Sequence, residues 1–123
     1  LKNSLTVHEN LKLDCNNTGN HNIKNIDACL DFFAMGEYKN TLVRYLSHGQ
    51  QKRVALMRLL TIKSNLWILD EPYSALDRDG SIILEQLLTE ALKNNISVVM
   101  TNHSEINLKT INVKNYHLEN GRI

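Results

Sequence analysis

The feature that most constrains the fold is the segment Leu66-Trp67-Ile68-Leu69-Asp70-Glu71-Pro72, in which four apolar residues lead directly into two carboxylates and a proline. An apolar run without alternation is typical of a strand that is covered on both faces in a parallel sheet. Residues 96–101 form a second such run, and apolar residues between the two runs recur at helical spacing. Strand, helix and strand in this order predict an α/β fold with a mostly parallel sheet flanked by helices.

Capping boxes mark two helix starts. A Ser or Thr followed three residues later by Glu or Gln satisfies the first backbone N–H groups of a helix. The box at 6–9 predicts a helix over 7–16, and the box at 47–50 predicts a helix that runs to about residue 61. The buried face of this second helix is expected to include Val54, Leu56, Leu59 and Leu60.

Two more helices and a hairpin follow from spacing and turn residues. A helix is predicted where Ile23, Ile26, Leu30 and Phe33 recur, with Gly36 placed to end it. Asp77 is placed to cap a helix that runs to about residue 93. The apolar face of that helix is expected to carry Ile82, Ile83, Leu87, Leu88 and Leu92. Residues 116–123 predict a hairpin that turns at Asn120-Gly121.

The composition is that of a small globular domain. Of the 123 residues 42% are hydrophobic and 22% are charged, and the formal net charge is +1. This balance gives no electrostatic reason to expect nucleic acid as a partner. The longest strongly apolar run has four residues, whereas a bilayer span needs about 20, so no membrane span is expected.

The two carboxylates of the first strand are the strongest chemical candidates. Open α/β sheets place their ligands at the carboxyl ends of the strands. Because adjacent residues of an extended chain point different ways, the two acids can have two roles. Asp70 would orient Mg²⁺ through water, and Glu71 would polarise an attacking water. The alternative is that both acids cap a turn before Pro72.

Two other features point to phosphate chemistry. Ser47 at a helix start, followed by Gly49, leaves backbone N–H groups open toward an anion, and the alternative is an ordinary capping box. His103 lies 32 residues after Glu71, at the end of the second strand. There it shares a sheet edge with the two acids and can hydrogen-bond a terminal phosphate and the attacking water, although a lone histidine is more often structural.

In this order and spacing the elements resemble the ABC ATPase family. Residues 47–50 (Ser-His-Gly-Gln) are similar to the signature motif of the family, and residues 66–70 to its Walker B strand. Glu71 matches the catalytic glutamate. Residues 74–77 (Ser-Ala-Leu-Asp) resemble the D-loop, and His103 the switch histidine.

The resemblance covers residues 46–103 and implies part of a P-loop NTPase (ABC ATPase) fold. Residues 1–45 would be part of the helical subdomain, and 46–123 the C-terminal part of the α/β core. ATP and Mg²⁺ would be the cofactors. The implied roles are catalytic for Glu71 and His103, nucleotide-binding for Ser47, Gly49, Gln50 and Asp77, and Mg²⁺-binding through water for Asp70.

The sequence also departs from the family. His48 stands where the signature motif usually has its first glycine. None of the five glycines opens the Gly-x-x-x-x-Gly-Lys-Ser/Thr of a phosphate-binding loop, and the glutamine loop of the family would lie upstream of Leu1. We therefore expect a C-terminal fragment that is inactive as an ATPase by itself.

Residues 1–11, 49–56 and 66–72 resemble, more narrowly, the branch of the family that serves haem export in cytochrome c maturation. This resemblance implies a translocase subunit that couples ATP hydrolysis to haem export or delivery. Its partners would be a transmembrane permease subunit and a second ATP-binding subunit, and this chain would not bind haem directly. It would be peripheral, on the cytoplasmic face of the inner membrane, or on the matrix face if organellar.

Rival interpretations are an ABC subunit for another substrate (a drug, metal or lipid exporter), a non-transport ABC ATPase acting on ribosomes or DNA, and a nucleotide-free regulatory module. The remaining polar residues are weaker candidates. Cys15 and Cys29 are expected to be reduced and to pack as small hydrophobic side chains, with a disulfide as the alternative. The histidines without metal-ligand spacing, expected not to bind metal, are His8, His21, His48 and His117. A solvated or inter-domain face is expected for Lys52, Arg53 and Arg58.

Overall fold

The structure, a computed structural model, describes residues 1–17, 26–103 and 113–117. Its regular elements in chain order are α1 (Val7–Asn17), α2 (Ile26–Phe32), α3 (His48–Thr61), β1 (Leu66–Leu69), α4 (Arg78–Lys93) and β2 (Ser97–Met100). Two 3₁₀ turns, Gly36–Tyr38 and Val43–Tyr45, connect α2 to α3. The predicted order of strand, helix and strand is confirmed by β1, α4 and β2.

The predicted capping boxes are present. Ahead of α1, the N–H of Glu9 donates to Oγ1 of Thr6 at 3.2 Å, and the N–H of Thr6 donates to Oε2 of Glu9 at 2.8 Å. The hydrogen bonds from Thr6 hold the pKa of the Glu9 carboxyl below its ordinary value. The helices begin where these boxes place them, because the boxes satisfy backbone donors that have no partner inside the helix.

The prediction that Gly36 ends α2 is wrong, because α2 ends at Phe32. Ala34 takes the left-handed conformation there, with φ 52°. Its N–H donates to the carbonyl of Asp31 at 3.0 Å, and the N–H of Met35 donates to the carbonyl of Leu30 at 2.8 Å. These two bonds form the Schellman ending that usually places glycine at the left-handed position.

Among the described residues, the sheet has two parallel strands in the register Leu66↔Ser97 to Leu69↔Met100. The prediction that β1 is covered on both faces is wrong for the described residues. Trp67 and Leu69 face the core, whereas Ile68 is 76% exposed. Exposure alternates because only one face of the sheet packs on the rest of the described chain.

One hydrophobic core joins the helical first part to the β1–α4–β2 unit. Its most deeply buried side chains include Val7, Leu11, Leu30, Phe33, Met35, Val43, Val54, Met57 and Leu84. Leu60, expected on or near the buried face of α3, is exposed, and so are two residues expected on the apolar face of α4, Ile82 and Leu92. Leu60 and Ile82 line an open groove of about 1020 Å³ that runs between α3 and α4. The division at residues 45 and 46 stays a prediction.

The cysteines match the expectation of thiols. Cys29 is buried, Cys15 is half-buried, and no disulfide joins them. Burial raises the pKa of the Cys29 thiol to about 11. Of the other predictions, Ile23 and residues 118–123 of the hairpin lie outside the described residues, and Tyr116 and His117 have no regular structure. Within the described part of the chain, no helix is long and apolar enough to cross a bilayer.

Tyr73, in the turn between β1 and α4, provides a test of the packing. Its hydroxyl is buried without a hydrogen-bond partner among the described residues, and burial raises its pKa to about 12. Because a buried polar group without a partner costs free energy, we expect Tyr73→Phe to increase the free energy of unfolding by about 1 kcal/mol. Urea denaturation measures this change. Tyr116→Phe, at a side chain that is 68% exposed, is the control with no expected effect, and a loss of stability in Tyr73→Phe would contradict the prediction.

Candidate functional site

The carboxyl ends of β1 and β2 meet at one edge of the sheet, which we call the carboxylate edge (Asp70, Glu71, Thr101 and His103). Thr101 joins the two strands there. Its N–H donates to the carbonyl of Leu69 at 3.0 Å, and its Oγ1 donates to Oδ1 of Asp70 at 2.6 Å. The same Oγ1 accepts from the N–H of Glu71 at 3.0 Å. A hydroxyl has one proton to donate and lone pairs to accept, so Thr101 fixes both acids against β2.

His103, predicted to share a sheet edge with the two acids, contacts Glu71 there. Nε2 of His103 lies 2.7 Å from Oε1 of Glu71. Both side chains are open to solvent, at 88% exposure for His103 and 40% for Glu71. A water or a phosphate oxygen therefore has access to the pair.

The main chain at Glu71 is unusual. Its φ is 42°, a left-handed conformation that residues other than glycine rarely adopt. Nζ of Lys52 donates to the carbonyl of Glu71 at 2.9 Å and to that of Asp70 at 3.4 Å. Lys52 is half-buried and its ammonium group bonds to the chain that follows β1, so the solvated face predicted for it does not describe this group.

The second group of predicted residues surrounds the start of α3, at residues 47–50, which we call the signature turn. Oγ of Ser47 accepts from the N–H of Gln50 at 3.3 Å, and Oε1 of Gln50 accepts from the N–H of Ser47 at 2.9 Å. The N–H groups of His48 and Gly49 have no acceptor among the described residues. The turn is thus both a capping box and a pair of outward donors at the positive end of a helix.

Gly49 touches the chain that follows the acids. A Cβ built on Gly49 would lie 2.9 Å from the carbonyl oxygen of Ala75, which has φ 62°. Only a residue without a side chain fits this approach. Beside it is a cavity of about 410 Å³ between the signature turn and Asp77, lined also by Glu37 and Tyr38.

Asp77 caps α4 and forms an ion pair. Its Oδ1 accepts from the N–H of Gly80 at 2.8 Å and from NH2 of Arg53 at 2.7 Å. The Arg53 hydrogen bond, followed by that of Gly80, lowers the pKa of the Asp77 carboxyl. NH1 of Arg53 also donates to the carbonyl of Phe33 at 3.1 Å. Arg53 thus joins the end of α2 to the start of α4, across the boundary predicted at residues 45 and 46, as an inter-domain face would. Its side chain is 13% exposed, so the solvated alternative does not describe it.

The carboxylate edge offers Mg²⁺ the carboxylate of Asp70. Asp70 is exposed, and only Oδ1 has a hydrogen-bond partner among the described residues. Across the described ranges no group of three or more His, Cys, Asp or Glu side chains has the arrangement of a metal centre. Mg²⁺ in nucleotide sites is usually held by one or two carboxylates, waters and substrate phosphates. A single exposed carboxylate fits that pattern.

The seven predicted site residues thus form two groups. Asp70, Glu71 and His103 lie together at the carboxylate edge, whereas Ser47, Gly49, Gln50 and Asp77 surround the cavity. Sequence reasoning missed the bridging role of Thr101 and the contacts of Lys52 and Arg53. Thr101 directly follows β2. Because the register pairs Leu69 with Met100, the next residues, Asp70 and Thr101, lie opposite each other.

A comparison with protein families decides the identity. The model of the ABC transporter family matches residues 1–74, more than half of the chain. The chain belongs to the ABC transporter family.

Sequence relatives place it beside one group of this ABC family. The cytochrome c biogenesis ATP-binding export protein CcmA of Albidiferax ferrireducens is 36% identical over 112 residues, covering 90% of this chain and 53% of that protein. CcmA of Nitrosomonas europaea is 37% identical over 123 residues, covering 96% and 55%. CcmA of Pseudomonas aeruginosa is 40% identical over 85 residues, covering 69% and 42%. The chain spans about half the length of the curated relatives it matches.

Solved structures confirm the predicted ABC ATPase fold. The ATP-binding subunit of an ABC transporter superposes with a TM-score of 0.77 at 21% identity, covering 84% of this chain and 44% of that one. A dimeric ATP-binding cassette in a post-hydrolysis state, bound to ADP and phosphate, has a TM-score of 0.72 at 27% identity, covering 85% and 48%.

The contact between Gly49 and Ala75 generates a prediction. Gly49→Ala forces a side chain against a main-chain carbonyl at 2.9 Å, so we expect a loss of about 1–3 kcal/mol in the free energy of unfolding. The better helix propensity of alanine offsets about 1 kcal/mol at most. Gly36→Ala is the matched control. A Cβ at position 36 would meet only a side-chain atom, the carboxylate oxygen of Asp31, at 3.1 Å. Equal stability of the two variants in chemical denaturation would show that the contact is not restrictive.

Proposed function

We propose that this chain provides the carboxylate edge, where ATP is hydrolysed, and the signature turn of an ABC transporter ATP-binding subunit. The observation that carries the proposal is the contact of Glu71 with His103 at the carboxyl ends of two parallel strands, beside Asp70. The match to the family model supports it. We propose ATP hydrolysis as the reaction of the full-length protein, with Mg²⁺ as its cofactor.

In this proposal each side chain of the carboxylate edge has its own role in ATP hydrolysis. Glu71 accepts a hydrogen bond from the attacking water and polarises it. Nε2 of His103 lies 2.7 Å from the Glu71 carboxylate, and the imidazole donates a hydrogen bond to the terminal phosphate and contacts the same water. Asp70 would hold Mg²⁺ through water, and the bound ion would supply positive charge next to the phosphate oxygens.

The signature turn acts on a different nucleotide in the same proposal. The outward N–H groups of His48 and Gly49, with the hydroxyl of Ser47, would meet the terminal phosphate of an ATP held by a second ATP-binding subunit. Gln50 and Asp77 lie beside this position around the cavity. A cassette solved as a dimer, 27% identical to this chain, supports the two-subunit arrangement.

Glu71→Gln tests the catalytic assignment in the full-length protein. Because the amide cannot polarise water as the carboxylate does, we expect ATP turnover to fall by about 10²-fold or more while nucleotide binding persists. Phosphate release measures turnover, and ATP-dependent dimerisation measures binding. Glu90→Gln is the control, since Glu90 is exposed, lies near the C-terminal end of α4 and contacts Lys93 at 3.5 Å. Parental turnover in Glu71→Gln would reject Glu71 as the base.

For the process that this ATPase drives, we propose haem export or delivery in cytochrome c biogenesis. The support is the group of relatives named cytochrome c biogenesis ATP-binding export protein, 36–40% identical to the chain in three species. The proposed partners are a transmembrane permease subunit and a second ATP-binding subunit. The proposed location is peripheral, on the cytoplasmic face of the inner membrane or the matrix face of an organelle.

Deletion of the gene tests the proposed process. We expect c-type cytochromes, detected by haem staining of denaturing gels, to be lost while spectra of b-type cytochromes persist. The parental gene should restore them, and the Glu71→Gln gene should not, because export needs hydrolysis. Normal c-type cytochromes after deletion, together with loss of transport of a drug, metal or lipid, would assign the subunit to another exporter.

A further inference from the structure

Lys52 on α3 makes contacts that the proposed chemistry does not yet use. Its Nζ lies within hydrogen-bond distance of two consecutive main-chain carbonyls, those of Asp70 and Glu71. An ammonium group has three donors, and hydrogen bonds from a charged donor are stronger than neutral ones. Lys52 is half-buried, so water competes for these donors less than at an exposed lysine.

The backbone conformation of Glu71 explains why its carbonyl needs a hydrogen-bond donor such as Lys52. Glu71 has φ 42°, a conformation that carries strain in a residue with a side chain and persists only where the surroundings hold it. Thr101 binds the N–H of Glu71 at 3.0 Å, and Lys52 binds its carbonyl at 2.9 Å. One residue is therefore held from β2 on its amino side and from α3 on its carbonyl side. The buried Pro72 follows at once.

We propose that Lys52 is a positioning residue that holds the main chain of Glu71 so that its carboxylate meets His103. This inference rests on the proposed function, because it assigns Lys52 a role at the same carboxylate edge. Lys52 acts through Glu71 and not on the nucleotide, since its ammonium group faces carbonyls of its own chain. The neighbouring Arg53 serves other segments, at Phe33 and Asp77.

The test uses the full-length protein with the variants Lys52→Met and Lys52→Arg. Lys52→Met keeps an unbranched side chain one atom shorter and removes all its donors, so we expect kcat to fall about tenfold with KM changed by less than about twofold. Lys52→Arg keeps the charge and the donors and should recover most of the lost kcat. Lys63→Met, at an exposed lysine just after α3, should match the parent.

Two further measurements separate positioning from other roles. In a Glu71→Gln background, Lys52→Met should lower turnover no further, because the two residues act as one unit. Nitrogen NMR of the histidine side chains, with His103 assigned by a His103→Gln variant, should show the His103 signals of Lys52→Met displaced toward those of Glu71→Gln. The NMR measurement does not depend on ATPase activity.

The outcomes distinguish the two proposals. Parental kcat in Lys52→Met, or a rise in KM alone, would overturn the positioning role. An equal further loss of turnover in the Glu71→Gln background would do the same, since it would show that Lys52 acts independently of Glu71. A parent without ATPase activity would contradict the proposed function, and the His103 signals would still decide whether Lys52 positions Glu71. If Lys52→Met fails to fold, an unchanged kcat and unchanged His103 signals in Lys52→Leu, which lacks both the charge and the donors, would overturn the proposal.

Discussion

The parallel pairing of β1 with β2 is the constraint on which the candidate site depends. In a parallel pair both carboxyl ends point to the same edge, and the register that sets Leu69 opposite Met100 brings the residues after each strand into contact. Asp70 and Thr101 therefore meet across the strands at 2.6 Å although they are 31 residues apart in the chain. An antiparallel pairing would have placed them at opposite ends, and a shift of one residue would have removed the contact.

The helix α3 connects the two parts of the site. Its N-terminus carries the signature turn, and its next turn carries two cations that bind different segments. Lys52 reaches the carbonyls after β1, whereas Arg53 reaches the carboxylate of Asp77 and the end of α2. Adjacent residues of a helix point about 100° apart, so one helix can hold two loops at once. Gly49 adds the close approach to Ala75 that lets the helix lie against the chain following the acids.

Local signals were sufficient for the helix starts and for the strand edge, because capping boxes and apolar runs act within a few residues. The failures involve packing that no local pattern encodes. Ala34 ends α2 in place of Gly36, because the carbonyls at the helix end are satisfied as soon as the chain turns there. The exposure of Ile68 depends on what covers the outer face of the sheet, and the contacts of Lys52 and Thr101 depend on tertiary approach and strand register.

The contact of Glu71 with His103 is a result of this arrangement and not its cause. A contact between two exposed polar side chains contributes little to stability, because solvent screens it and ordering the two side chains costs entropy. The exposure of these side chains is nevertheless required by the proposed chemistry, since a water and a phosphate must reach them. Restraint must therefore come from the main chain, where Thr101 and Lys52 bind the two sides of the Glu71 residue and Pro72 is buried. A site of this kind keeps its reactive groups open to solvent while its backbone is held by two elements of the fold.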